Sequence, residues 1–202
     1  MGHRSGFELT VQQCWAVSTA GFICVAAIYL CQCILGYLAP LHWTDVAKIL
    51  PLLLASVGTC RKSRNVVATG LGIEAFVQVM MFCTYVDRVN DLPAAFANWG
   101  VSAFVLVKML LVIVASIWMA AAMVERNPEG GNPEKAVSPA ALILIRAVVG
   151  FVGWTVIVSF VPTYVFVPGY EIACVTKFML LALAFFCLSN ACKEQQLIGG
   201  IE

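Results

Sequence analysis

Four ionisable side chains stand inside long apolar stretches of the sequence: Glu74, Lys108, Arg146 and Lys177. An ionised group at the centre of a membrane helix costs about 2.5 to 3.5 kcal/mol on insertion scales. Four such groups on membrane helices must therefore face protein or water rather than lipid. Three cations against one carboxylate favour a polar pathway for a small anion or an organic carboxylate, in which Glu74 is the natural proton carrier.

Helical spacing places these charged residues on faces with polar or small neighbours, because residues three and four apart lie on the same side of a helix. On the third predicted span the face consists of Gly70, Glu74, Gln78, Met81 and Tyr85. On the fifth it consists of Arg146, Gly150, Gly153 and Trp154. On the sixth it consists of Tyr170, Cys174 and Lys177, with Glu171 near its outer end. We expect the three faces to line one interior. The predicted pathway residues are Glu74, Lys108, Arg146, Lys177, Gln78 and Glu171.

The same charges are compatible with a structural ion-pair network. In that interpretation Glu74 bridges Arg146 or Lys108, and the remaining cations reach toward the membrane surface or pair with a partner subunit. Arg146 keeps its charge at any accessible pH, and Gly150 and Gly153 allow a neighbour to approach its helix face. Arg146 is therefore expected to contact either Glu74 or a bound anion.

The composition of the 202-residue chain is that of a membrane protein. Apolar residues make up 61% and charged residues 11% of the sequence, whereas soluble domains carry roughly 25% charged residues. These values exclude a soluble enzyme, a disordered chain and a disulfide scaffold. The net charge of +1 offers no basic surface for nucleic acid.

Uninterrupted apolar runs predict six transmembrane helices, at about residues 13–39, 45–60, 65–87, 95–124, 138–162 and 168–192. Six spans use roughly 120 residues, which leaves one membrane domain over residues 1–202 with short loops and tails. The second run is short and contains Pro51, so that it is either a short full span or a re-entrant half-helix.

Basic residues in the connections are distributed asymmetrically. Arg4, Arg61, Lys62, Arg64, Arg126, Lys135 and Lys193 fall on one side of a six-span chain, and Arg88 falls on the other. Because basic residues concentrate on the side from which a membrane protein is inserted, both termini are predicted to lie in the cytoplasm or in the matrix or stroma of an organelle. An odd number of spans would scatter these charges over both sides.

Cofactor and metal motifs are missing from the sequence. The two histidines, His3 and His42, fall outside the predicted spans, which excludes a haem or a di-iron cluster held by histidines within the bundle. Cys31 and Cys33 are two positions apart, so that they point to different sides of a helix and cannot share one metal. We expect no cofactor and no metal.

Two short stretches resemble known families. The run from Asp45 to Pro51 is similar to the third helix of microbial rhodopsins, and Lys177 is placed like their retinal-binding lysine. This resemblance implies retinal binding, but six spans replace seven, and Ala173 stands where the family has a carboxylate. The run around Arg146 resembles the arginine-bearing helix of the rotary ATP synthase a subunit, without its partner glutamine.

The sequence thus predicts an all-α bundle of six transmembrane helices. Its predicted function is a small transporter or channel for protons, a small anion or an organic acid. The alternatives are a non-catalytic integral subunit of a larger energy-transducing membrane complex and, below it, a retinal-binding protein. An enzyme is not expected, because the spans carry no histidine and no paired carboxylates. The expected partners are the bilayer of a plasma or organelle inner membrane and further membrane subunits or copies of the same chain.

Overall fold

A computed structural model describes residues 9–34, 43–88, 99–124, 138–160 and 168–199, with side chains for 9–34, 47–87, 103–124, 138–153 and 172–192. Six helices account for this part of the chain: α1 (Val11–Ile34), α2 (Trp43–Cys60), α3 (Arg64–Arg88), α4 (Trp99–Val124), α5 (Pro139–Phe160) and α6 (Pro168–Gly199). Each overlaps one of the predicted segments, with starts up to two residues earlier for α1, α2 and α3, which confirms the all-α prediction for the described residues. α6 continues beyond its predicted end at residue 192.

Four of the helices contain segments long and apolar enough to cross a membrane: Val11–Ile34, Arg64–Asp87, Ala103–Val124 and Ile172–Cys192. The apolar parts of α2 and α5, Ala47–Cys60 and Pro139–Gly153, are shorter. α2 is a continuous helix of 18 residues with Pro51 inside it. These lengths and compositions are compatible with an integral membrane protein.

Local side-chain chemistry sets the described helix starts. At α1, the Gln13 backbone N–H donates to Thr10 Oγ1 at 3.3 Å, and the Thr10 N–H donates to Gln13 Oε1 at 2.9 Å. This reciprocal pair is a capping box. At α5, the Ala141 N–H donates to Ser138 Oγ at 3.2 Å, and Pro139 occupies the first helical position, where a missing N–H costs no hydrogen bond.

A tight turn joins α2 to α3. The Ser63 N–H donates to the Gly58 carbonyl at 2.8 Å, and the Lys62 N–H donates to the Thr59 carbonyl at 3.1 Å. Lys62 has a φ of 52°. These bonds and the left-handed residue form a Schellman motif, which ends α2 and turns the chain into α3 within three residues.

The six helices form a closed ring. Each helix packs against the helices before and after it in the chain, and α6 packs against α1. α1 and α6 run antiparallel, because Ser18 Oγ donates to the Ala184 carbonyl at 3.0 Å while Lys177 Nζ donates to Gln32 Oε1 at 3.1 Å. We call the end of the ring that holds the α2–α3 turn the hairpin end, and the opposite end the far end.

The apolar core fills the half of the ring toward the hairpin end. Its largest fully buried side chains include Trp15, Phe22, Leu71, Met119, Ile143, Phe185 and Leu188. Glycine brings helix backbones together in this half: a Cβ on Gly70 would lie 2.7 Å from the Ala55 nitrogen, whereas a Cβ on Gly72 would meet nothing within 4 Å. Close backbone contact at Gly70 therefore helps to pack α2 against α3 in the hairpin half.

The outer surface of the ring is apolar on every helix. Large exposed side chains include Ile23, Leu50, Phe76, Ile117, Val148 and Phe186, one from each helix in chain order, with 48 to 63% of their surface accessible. Contiguous apolar surfaces of this kind are rare on monomers in water. The distribution is the one expected of helices that face lipid outward and one another inward.

Candidate functional site

A cavity of about 170 Å³ lies in the half of the ring toward the far end. All six helices contribute to its wall. Its lining consists of Tyr29, Lys48, Gln78, Met81, Lys108, Met109, Val112, Arg146, Cys174, Lys177 and Phe178. The apolar core lies between this cavity and the hairpin end. The described helices therefore place a polar cavity on one side of the apolar core.

Four cations converge on the cavity, each from a different helix: Lys48 from α2, Lys108 from α4, Arg146 from α5 and Lys177 from α6. No carboxylate belongs to the lining in the part of the chain with described side chains. Several positive charges gathered in a dry interior repel one another. Their convergence is costly unless negative charge compensates it.

Glu74 supplies negative charge from beside the cavity. It is 4% exposed, and its Oε1 accepts a hydrogen bond from Gln78 Nε2 at 2.8 Å. Its Oε2 is buried and has no hydrogen-bond partner within the described residues. The cations that attract this carboxylate are Lys48 and Lys177.

Lys177 is buried among polar and aromatic side chains. It is 5% exposed and donates to Gln32 Oε1 at 3.1 Å. Its ammonium nitrogen lies 3.8 Å from the centre of the Tyr29 ring and 5.2 Å from that of Phe178. Cation–π contacts of this kind stabilise a desolvated ammonium by about 2 kcal/mol. Gln32 in turn donates to Cys174 Sγ at 3.6 Å.

The side chains of Arg146 and Lys108 both pass close to Gly150 on their way to the cavity. The Arg146 guanidinium carbon lies 4.0 Å from the centre of the Phe178 ring, and Lys108 Nζ lies 4.2 Å from that of Phe104. A Cβ on Gly150 would meet the Arg146 guanidinium at 2.5 Å and Lys108 Cδ at 3.8 Å. Glycine at this position therefore gives both long side chains room to reach the cavity.

The structure brings together most of the residues predicted for the pathway. Gln78, Lys108, Arg146 and Lys177 line one cavity, and Glu74 is hydrogen-bonded to its wall. The side chains of Glu171, Trp154 and Tyr170 lie outside the described ones. Whether these residues form a transport pathway stays a prediction.

The partner of Glu74 differs from the expected one. The sequence favoured Arg146 or Lys108 as the cation paired with Glu74, whereas Lys48 and Lys177 provide the attraction. Arg146 instead stacks on Phe178 at the cavity wall. Contact between Arg146 and a bound anion stays a prediction.

Sequence reasoning missed two wall residues, Lys48 and Tyr29, and Gln32, which accepts a hydrogen bond from the wall residue Lys177. Lys48 is 8% exposed and lies 5.7 Å from the centre of the Tyr29 ring. It stands near the start of the second predicted span, where a lysine normally extends to the membrane surface. Gln32 and Tyr29 stand near the end of the first span, and a glutamine in an apolar run was the signal available for them.

The cysteines carry free thiols at all nine positions. Cys31 is exposed and Cys33 is buried, which agrees with the expectation that the two point to different sides of α1. Within the described parts of the chain, no three His, Cys, Asp or Glu side chains come together as metal ligands.

Comparisons with protein-family models, with curated proteins and with solved structures find no match for this chain.

Proposed function

We propose that this protein is a small integral membrane transporter that binds a small organic anion in the cavity between its six helices. The observation that carries the proposal is the convergence of Lys48, Lys108, Arg146 and Lys177 on one cavity of about 170 Å³. Charged groups inside a bundle cost free energy, and they usually mark substrate or ion pathways. Four cations from four helices form a site that a bound anion would stabilise.

The cavity favours a substrate of a few carbon atoms. Its volume of about 170 Å³ equals the liquid volume of roughly five or six water molecules. Arg146 offers a planar fork that can bind a carboxylate through two hydrogen bonds, and the lysines are mobile point charges. Met81, Met109 and Val112 supply apolar wall. A small carboxylate, with an anionic head and a short carbon skeleton, matches this combination.

Transport by alternating access fits this arrangement better than a continuous channel. The cavity lies toward the far end, and the core around Phe22, Leu71 and Phe185 separates it from the hairpin end. A substrate bound from one side would need the helices to move before it could leave on the other.

We further propose that all six helices span the bilayer, with both termini on the cytoplasmic or matrix side. Exposed apolar residues on α2 and α5, such as Leu50 and Val148, support spanning by the two shorter apolar helices. Cysteine substituted at Lys62 and at Asp91 should react with an impermeant maleimide from opposite sides of sealed vesicles. Reaction of both positions from the same side would contradict six spans.

The anion site is tested by measuring binding to the purified protein in mild detergent. Pyruvate, succinate and chloride serve as probes in calorimetric titrations, followed by uptake into proteoliposomes. We expect at least one carboxylate to bind and to enter vesicles, and Arg61→Gln, which removes an exposed cation at the α2–α3 turn, to leave both unchanged. Failure of all three probes, with other membrane proteins stably co-purifying, would favour the non-catalytic subunit instead.

A further inference from the structure

We propose that anion binding is coupled to the uptake of one proton by Glu74, so that the protein moves a monocarboxylate together with a proton. This inference rests on the proposed anion site and concerns what that site does with its own carboxylate. When ionised, Glu74 would act as an internal anion, because it is almost fully buried beside the cavity and within the electrostatic reach of Lys48 and Lys177. A substrate carboxylate would compete for the same two ammonium groups.

The competition leaves Glu74 without its compensating charge. The ammonium group of Lys177 contacts Gln32 and the Tyr29 ring. Because Lys177 also lines the cavity, the same group can contact a bound anion. When Lys48 and Lys177 turn to a bound anion, the carboxylate of Glu74 is buried and poorly paired. A buried carboxylate in that condition becomes neutral rather than remain charged.

The hydrogen bonding of Glu74 suits both protonation states. Gln78 Nε2 donates to Oε1 at 2.8 Å, and a carboxyl oxygen accepts this bond whether the group is charged or neutral. Oε2 is the atom without a partner within the described residues, and it is the atom that would take the proton. Gln78 lines the cavity, so that the carboxylate lies directly behind the wall from which a proton arrives.

The other groups around Glu74 do not replace it as proton acceptor. The cations at the cavity are Lys48 from α2, Lys108 from α4, Arg146 from α5 and Lys177 from α6, while Tyr29 from α1 and Cys174 from α6 are the remaining titratable groups of the wall. An ammonium or guanidinium group has no lone pair that can accept a proton, and the neutral hydroxyl of tyrosine and thiol of cysteine already carry theirs. The carboxylate is the one basic group in this described set.

The proton balance follows directly. One proton from solvent adds to Glu74 Oε2 as one monoanion enters, and the same proton leaves as the anion is released. The pair crosses with no net charge. Transport of a monocarboxylate is therefore expected to be electroneutral and driven by a pH gradient.

The test counts protons during binding. Purified protein in weakly buffered detergent solution is titrated with pyruvate at neutral pH, and a pH indicator dye reports proton uptake. We expect net proton uptake, of up to one proton per pyruvate bound, for the wild type. Glu74→Gln should bind pyruvate with no proton uptake, and Asp87→Asn, which removes an exposed carboxylate from the same helix, should behave as the wild type does.

Vesicle uptake gives a second readout for the same coupling. With an inward proton gradient of one pH unit, wild-type vesicles should accumulate pyruvate up to about tenfold, and Glu74→Gln vesicles should only equilibrate it. Pyruvate binding by the wild type without proton uptake would overturn the coupling and leave the anion site standing. Absence of any probe binding would overturn the anion site and the coupling together. The wild-type proton count decides the matter even if the Glu74→Gln variant does not fold.

Discussion

Replacing Lys177 with Leu is expected to lower the free energy of unfolding by up to about 3 kcal/mol, because a buried carboxyl loses a compensating charge and a buried amide loses its hydrogen-bond donor. The substitution leaves Gln32 without its ammonium donor and removes one of the two cations that attract Glu74. Unfolding of the detergent-purified protein in increasing SDS, followed by circular dichroism, measures this loss.

Removing the carboxylate as well should restore part of the lost stability. In the Lys177→Leu, Glu74→Leu double variant, the charge that the single variant leaves poorly paired is gone, so that we expect a coupling free energy of about 1 to 3 kcal/mol. Arg61→Leu is the matched control, because it removes an exposed cation at the α2–α3 turn and should change stability by about 0.5 kcal/mol or less. Strictly additive effects of the two substitutions would show that Lys177 and Glu74 do not interact.

Hydropathy predicted the helices because a bilayer penalises unpaired backbone groups. Charge predicted most of the cavity wall because a bilayer also penalises ionised side chains that face lipid. An apolar run long enough to span has few alternatives to a helix, which is why six segments of the sequence correspond to α1 through α6. A charge inside such a run must turn inward, which is why Lys108, Arg146 and Lys177 meet at one cavity.

The sequence could not predict which cations attract Glu74, because several cations lie at a similar depth in the predicted spans. The choice depends on the order of the helices in the ring and on their axial register. Both depend on packing details such as Gly21 against Ala184 and Gly58 against Val67, which have no signature in hydropathy. Lys48 was missed for a related reason: a lysine near a helix end can extend to the surface or turn inward, and neighbouring helices decide between the two.

Arg146→Lys is expected to fold normally and to bind pyruvate about 10- to 100-fold more weakly than the wild type. The charge is kept, so that the cavity remains cationic. Lysine lacks the planar fork that binds a carboxylate through two parallel hydrogen bonds, and it stacks less well than a guanidinium on the ring of Phe178. Loss of one charge-assisted hydrogen bond corresponds to about 1.5 to 3 kcal/mol, which gives the expected range. Calorimetric titration with pyruvate measures the change.

An arginine-to-lysine substitution at an exposed site controls for effects of the substitution that do not involve the geometry of the anion site. Arg61→Lys at the α2–α3 turn should leave pyruvate affinity unchanged, and Arg146→Leu should abolish binding at any concentration that calorimetry reaches. If Arg146→Lys bound pyruvate as tightly as the wild type while Arg146→Leu did not, the arginine would act as a point charge without a bidentate role. If Arg146→Leu kept both wild-type stability and wild-type binding, Arg146 would have no part in the anion site, and the four-cation basis of the proposed function would fail.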